Sequence, residues 1–404
     1  MRRNRTAIAL SAAALAVAVL GQTQLGQAAA NAVRVSLFAQ NAGKVNNIKA
    51  SRTPTPGRLL PLDAHGKLPG AVLPSSREGK RGPQGPPGPE GPRGERGPAG
   101  AGYIRTLIVH PATDPAKSGN ELLGALASIV DNSATNPYLV KIEPGIYDLG
   151  ARSLALKQYV DVEGSGELVT TISSNIVNGL GTVVGADHAE LRFVTVKNTG
   201  GGAQAIGLYS DSTSPRYTHV TASASGASEN YGIYASNGAP VLTDVTAIAS
   251  GGGVAMALSN FGGNVSVTNT ALSASDAAGL NAALRTTYGG SVKVLSSILT
   301  ASGGAIAMGM RAYNGSHSLA NVTVSATGAS QSYGLFVGQK SSAPTVTVNQ
   351  SRVTGQSNSV YSVGGAVRIG ASQLVGPAGV EELGTVVCAV SYGGDFAPLG
   401  PACD

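Results

Sequence analysis

Residues 208–236 read "LYSDSTSPRYTHVTASASGASENYGIYAS", and the stretch begins and ends on the same pattern, an apolar residue followed by tyrosine. The two copies, Leu208-Tyr209 and Ile233-Tyr234, are 25 positions apart. Carrying that step onward sets Leu208, Ile233, Leu258, Leu284, Met310, Leu335 and Val360 in one column, with intervals of 25, 25, 26, 26, 25 and 25. A second column, Leu191, Tyr217, Leu242, Val267, Val294, Leu319, Val348 and Ile369, advances by 26, 25, 25, 27, 25, 29 and 21. Two apolar columns sharing one period mean that each repeat is one coil of strands, buried only against the coils above and below it. Leucine-rich repeats share the period but need several leucines per unit, and helical repeats need apolar spacing of the 3.6 type. Neither is present. Short β-branched segments separated by Gly, Ser and Asn turns specify an all-β chain wound as a parallel β-helix.

Side chains alternate along a strand, so the residue after each first-column position points outward. That column reads Tyr209, Tyr234, Ser259, Arg285, Arg311, Phe336 and Tyr361. With strands about 4.8 Å apart it makes a strip roughly 30 Å long. Aromatic faces stack on sugar rings and Arg forks grip carboxylates or sulfates, so an acidic glycan suits the strip. The competing reading is an aromatic ladder stacked on itself, with solvated arginines. A third column, His219, Asp244, Asn269, Ser296, Asn321 and Gln350, is polar in every coil and reads as a turn ladder rather than as a catalytic dyad.

Upstream, "TLIVH" (Thr106–His110) reads as a strand. Ser118-Gly119-Asn120-Glu121 reads as a capping box, predicting a helix from about Asn120 to Val130 with Leu122, Leu123, Leu126, Ile129 and Val130 on one apolar face. Such a helix plugs the open end of a sheet stack. The next stretch, "YLVKIEPGIYDLGARSLALKQYVDVEGSGELVTTISS" (138–174), carries Pro144-Gly145-Ile146-Tyr147 and Gly164-Ser165-Gly166 between strands. It resembles the opening turns of the pectin lyase-like right-handed β-helix family, and the pattern extends over Tyr138 to Val387. The resemblance implies a right-handed winding with an N-terminal cap; family-wide these residues shape turns and do not catalyse.

The N-terminal quarter is built differently. Arg2, Arg3 and Arg5 precede an apolar run, Ala7 to Leu20, and a small-residue stretch to Ala32, the layout of a secretory signal peptide over 1–32. Residues 33–78 form a Pro- and Gly-rich linker. Within it, "RLLPLDAHGKLPGAVLP" (58–74) resembles short connectors of trimeric phage tail fibres. From Gly79 to Gly100 every third residue is glycine, eight in phase, and 79–102 reads as a collagen-like segment. Only glycine fits the crowded axis where three polyproline-II strands meet, so this phase calls for three chains. A stiff spacer in a monomer is the competing reading. Up to Gly102 there are 14 Lys and Arg against 4 Asp and Glu, a net +10, which leaves −4 of the overall +6 for the remainder. Lys80, Arg81, Arg93 and Arg96 pair with Glu78, Glu90 and Glu95 between chains or attract anionic polymers.

Two cysteines, Cys388 and Cys403, are the chain's whole complement, and a disulfide between them closes a C-terminal tail, 388–404. By the chain-entropy relation it adds roughly 3 kcal/mol, and it fits an oxidising destination. The β-helix itself is expected over 103–387. The resemblance implies paired Asp with His, Arg and Lys in the family's hydrolases, and an acidic calcium cluster beside an Arg in its lyases. Here the adjacent acidic pair is Glu381-Glu382, past the last good repeat, so no catalytic carboxylate pair, calcium cluster or cofactor site is assigned. His65, His110, His188, His219 and His317 lack metal-ligand spacing, "GSGELVTT" lacks a Walker lysine, and no nucleic-acid motif accompanies the basic segment. The expected protein is secreted or displayed on a bacterial surface, homotrimeric, without a membrane span once the signal is removed. Its expected partner is a polysaccharide or cell-surface glycan, bound through Tyr209, Tyr234, Arg285, Arg311, Phe336 and Tyr361. A polysaccharide lyase or glycoside hydrolase is the alternative, with Arg285 and Arg311 the first residues to inspect.

Overall fold

In the computed structural model Leu208 lies in register beside Ile233, and Ile233 beside Leu258, through Leu284, Met310, Leu335 and Val360 without a slip. The structure describes residues 102–404, except 178, 340, 342 and 382, together with Lys44, Val45, Ile48, Lys49, Ser51, Arg58 and Lys67. The expected signal peptide and the Gly-X-Y triplets lie outside the described residues. The chain divides into two compact units, Met1–Glu95 and Arg96–Asp404. Of the first, Lys44–Val45 pairs antiparallel with Ile48–Lys49.

The second unit is a right-handed parallel β-helix of about nine turns with one helix. Sheet one has ten strands, and its inward column runs Leu154, Val183, then the seven residues above, then Ala378. Sheet two carries the second column from Leu191 to Ile369, extended backward through Val162, Val140 and Leu107 and forward to Cys388. Sheet three adds a column that neither sequence column named: Tyr147, Ile172, Val196, Ala222, Ala247, Leu272, Leu299, Val324, Val353 and Leu374. Residues of all three columns join one continuous core. Each fully buried Leu, Ile or Val contributes about 1.5–3 kcal/mol, and no coil can bury its own without neighbours.

The corner between sheets two and three is the predicted turn ladder. His219, Asp244, Asn269, Ser296, Asn321 and Gln350 all have φ between 48° and 56°, and Phe193, Ala371 and Val390 at the same corner have 55°, 47° and 52°. This left-handed backbone turns the chain sharply in one residue. The residue that follows points inward, and where it is Thr270, Ser297, Ser351, Ser372 or Ser391 its hydroxyl donates to the carbonyl two positions back. The same oxygens accept the N–H of the preceding coil, as Ser372 does from Ser351 at 3.1 Å. Buried corner amides are thereby satisfied.

The helix is Pro115–Ser128, not Asn120–Val130. Asp114 is the N-cap, its carboxylate accepting from the Ala116 N–H, and Pro115 occupies the first helical position. Ser118 lies inside the first turn and returns its hydroxyl to Asp114 O and Ala112 O. Leu122, Leu126 and Ile129 are buried over the first coils, whereas Val130 stands in solvent. At the other end Cys388 sits in the last strand, Thr385–Ala389, as the final rung of the second column, and is bonded to Cys403. The tail folds back so that Pro401 O accepts from Cys388 N and Ser391 O from Leu399 N.

Candidate functional site

Strand register brings Tyr209, Tyr234, Ser259, Arg285, Arg311, Phe336 and Tyr361 into a single column on sheet one. The side chains are half-buried rather than free in solvent, and Ser259 is buried. The reason is a second outer column, Ile206, Tyr231, Met256, Ala282 and Met308, which packs against Tyr209, Tyr234, Tyr333 and Phe336. Strict alternation would send Ile206 inward with Leu208. It does not, because one additional residue intervenes in each coil: Gly207, Gly232, Ala257, Ala283, Gly309 and Gly334. A Cβ at Gly232 would come within 3.0 Å of the Ile248 backbone nitrogen on sheet three, so the two sheets approach too closely there for a large side chain.

The aromatic residues pack among themselves at both ends of the strip. Tyr231 and Tyr234 meet edge-on at 5.2 Å, and Phe336 lies 5.4 Å from Tyr333 and 5.7 Å from Tyr361. Tyr231 donates to Glu229 at 2.8 Å and Tyr361 to Glu381 at 2.7 Å. Between these clusters stand the two arginines. Arg285 reaches Met256 Sδ at 3.7 Å, and the Arg311 guanidinium lies 4.4 Å from the centre of the Tyr313 ring. Among the described residues no ion pair involves either arginine, and both Nε atoms are buried without an acceptor. Burial, and then the like charge of Arg285, push the Arg311 guanidinium down to about 10.

Beside the pair opens a cavity of about 450 Å³ lined by Arg285, Thr287, Tyr288, Tyr313, Asn314, Gln339 and Ser341. Apart from Arg285, its walls come from strand ends and turns that the column analysis did not reach. Their sequence signal is a tyrosine just beyond each arginine. Tyr288 presents an exposed ring backed by Phe261 at 4.0 Å. His317, buried beneath, accepts the Val292 N–H on Nδ1, so its Nε2–H donates to Asn314 O at 2.8 Å and holds that turn. Burial lowers the pKa of this imidazole.

Two other polar groups are structural. His219 and Asp244 approach to 3.7 Å at the left-handed corner, with Phe193 stacked on His219 at 5.1 Å. On the outer face of sheet two, Arg192 is held by Glu163 at 2.8 Å, Glu190 at 2.9 Å and Asp161 at 3.5 Å, with Lys141 3.2 Å from Glu163. Burial works against the charged Glu163, yet bonds from Arg192 and Lys141 keep its carboxyl below the usual range. Sequence reading missed this cluster because its members repeat in no column. Among the described residues no group of three or more His, Cys, Asp or Glu is placed to hold a metal ion, and no helix is long and apolar enough to cross a membrane.

No protein-family model matches the sequence, and no curated protein does. Among solved structures the fold is similar to ORF18 of Geobacillus virus E2, at 10% identity over 71% of this chain with a TM-score of 0.39. The chain spans 60% of that viral protein's length. It is similar also to the A-module of mannuronan C-5 epimerase AlgE4 from Azotobacter vinelandii, at 13% identity, 72% of this chain, 94% of that one and a TM-score of 0.42. Pectin methylesterase PemA from Erwinia chrysanthemi follows at 12% identity, 75% and 92% coverage and a TM-score of 0.32. At such identities the likeness concerns the winding of the chain alone.

Proposed function

We propose that this is an exported binding protein whose β-helix head, displayed with two others on a collagen-like stalk, holds an acidic polysaccharide on the Arg285–Arg311 strip without converting it. The observation that carries the reading is the unopposed guanidinium pair. Two like charges one coil apart repel, and two buried N–H groups without acceptors each cost about 1–3 kcal/mol. The Nε atoms are closed to solvent, so an oxyanion from outside would meet the outer part of these half-buried guanidinium groups, whose fork suits carboxylate or sulfate. Tyr234 on one side and Phe336 and Tyr361 on the other offer ring faces for sugars. The cavity past Arg285 leaves room for a pyranose beside the charged pair. Export is supported by the N-terminal signal pattern and the disulfide, and trimerisation by the phase of the glycines. Three strips on one stalk raise avidity even where a single strip binds weakly.

The test is calorimetric titration of the full chain with polygalacturonate and alginate, with dextran as the neutral control. The expected result is binding that weakens at least tenfold in the Arg285→Ala/Arg311→Ala variant, with no unsaturated uronate absorbance over time. Equal affinity for dextran, or undiminished binding by the double variant, overturns the strip as the site. Turnover of either polymer overturns the binding-only reading in favour of a polysaccharide lyase or hydrolase.

A further inference from the structure

Tyr103 follows the last phased glycine, Gly100, after Ala101 and Gly102 alone. Three Cα steps reach at most about 11 Å, so in a triple helix each Tyr103 lies within that distance of the common axis. Two such residues are then no more than twice as far apart. A head is wider than that, since one strand of eight residues, Glu229–Ser236, already runs about 26 Å.

The point where the chain enters the head is also clamped. Tyr103 Oη donates to Asp161 at 2.6 Å and accepts from Arg192 at 2.9 Å, and the Arg192 guanidinium lies over its ring. Arg192 is itself locked by Glu163 and Glu190. Ile104 N–H then donates to Pro137 O, and the chain enters strand Arg105–Val109, which pairs with Tyr138–Ile142 along one edge. Its other edge has no strand partner among the described residues. Ile104, just ahead of this strand, and Ile108, on its outer face, are 61% and 56% exposed. An open edge with exposed isoleucines invites pairing unless something covers it.

We infer that the three heads pack against one another at the end of the stalk, each covering a neighbour's first strand at Ile104 and Ile108, in a rigid threefold base. The occupant of the open edge is thus a second copy of this chain. The short tether brings the copies together, the tyrosine clamp fixes their orientation, and the isoleucines supply the apolar contact. The inference rests on the stalk reading above, and the experiment separates the two. Both native cysteines are paired, so introduced ones report cleanly.

Full-length Ile108→Cys and, as a control on the flank of the solenoid, Leu295→Cys are treated with a short bis-maleimide and run under denaturing conditions. Light scattering of the untreated protein gives its mass. The expected result is three chains per particle, covalent dimers from Ile108→Cys, and monomer from Leu295→Cys. An Ile104→Lys/Ile108→Lys variant serves if the cysteine variant does not fold. Its collagen-type circular dichroism transition is expected several degrees below the wild type, with the β-sheet signal unchanged. Three chains per particle without cross-linking, or with an unshifted transition, overturn the packed base and leave the stalk standing. One chain per particle removes the stalk and this base together.

Discussion

Arg285 and Arg311 occupy adjacent rungs of one column, paired in register, with a buried, unaccepted Nε on each. A solenoid places such pairs side by side whenever two successive repeats carry the same residue, and nothing in the backbone relieves their repulsion.

Arg311→Met keeps the packing of the stem and removes the charge. The folded pKa is depressed to about 10, below the ordinary guanidinium value, so between those values the unfolded chain holds more protons and stability rises with pH. Below pH 10 the penalty is present in full. The variant is expected to melt about 2–4 °C above the wild type at pH 7, and the difference to shrink above pH 10. Melting curves at pH 7 and 10.5 check this; a lower melting temperature at pH 7 contradicts it.

Leu258 sits between Ile233 and Leu284 with no exposure. Leu258→Ala is expected to cost about 2–5 kcal/mol through the cavity it leaves. Because coils contact only their neighbours, hydrogen exchange should accelerate first in strands Glu229–Ser236 and Leu280–Thr287. Uniform acceleration along the solenoid would count against nearest-neighbour coupling.

Ala371 is held at φ 47°, where its Cβ is strained and it has no polar side chain to bond the local backbone. Ala371→Gly is expected to stabilise by about 1 kcal/mol, the left-handed penalty for an L-residue, and Ala371→Val to destabilise. Chemical denaturation of the two variants gives the signs directly.

Cys388→Ser with Cys403→Ser unlatches the tail from the last rung. The loss is expected to be roughly 3 kcal/mol, expressed locally. Protection should fall in strands Thr385–Ala389 and Gln373–Val375, while Val254–Phe261 stays protected. Unchanged exchange at the C-terminal end would show that the tail packs without its latch.

Glu163→Gln tests the clamp below Tyr103. The carboxyl's pKa is depressed in the folded state, so its stabilisation is present above the ordinary carboxylate range and fades as pH falls through the folded value. The wild type is therefore expected to lose stability on acidification more steeply than the variant. Parallel acid titrations followed by circular dichroism measure the two slopes.

The winding and both apolar columns could be read from the chain alone, since identical coils force the same residue type to recur at one interval. The turn ladder was visible for the same reason, whereas the left-handed backbone at each of its positions came only from the structure. Three further things escaped. The helix begins at Asp114-Pro115 because a rigid proline set its first turn, which outweighed the Ser118 box four residues on. The outer column at Ile206, Tyr231 and Met256 depends on an extra small residue per coil, and alternation has no means of registering that shift. The Arg192 cluster joins Glu190 of its own strand to Asp161 and Glu163 of the neighbouring one and to Tyr103 ahead of the first strand, and only folding brings these segments together. Periodic burial is a local rule repeated, so it is written along the chain. The half-buried strip, the unopposed arginines and the clamped junction arise from contacts between coils, where side-chain volume and charge meet in three dimensions.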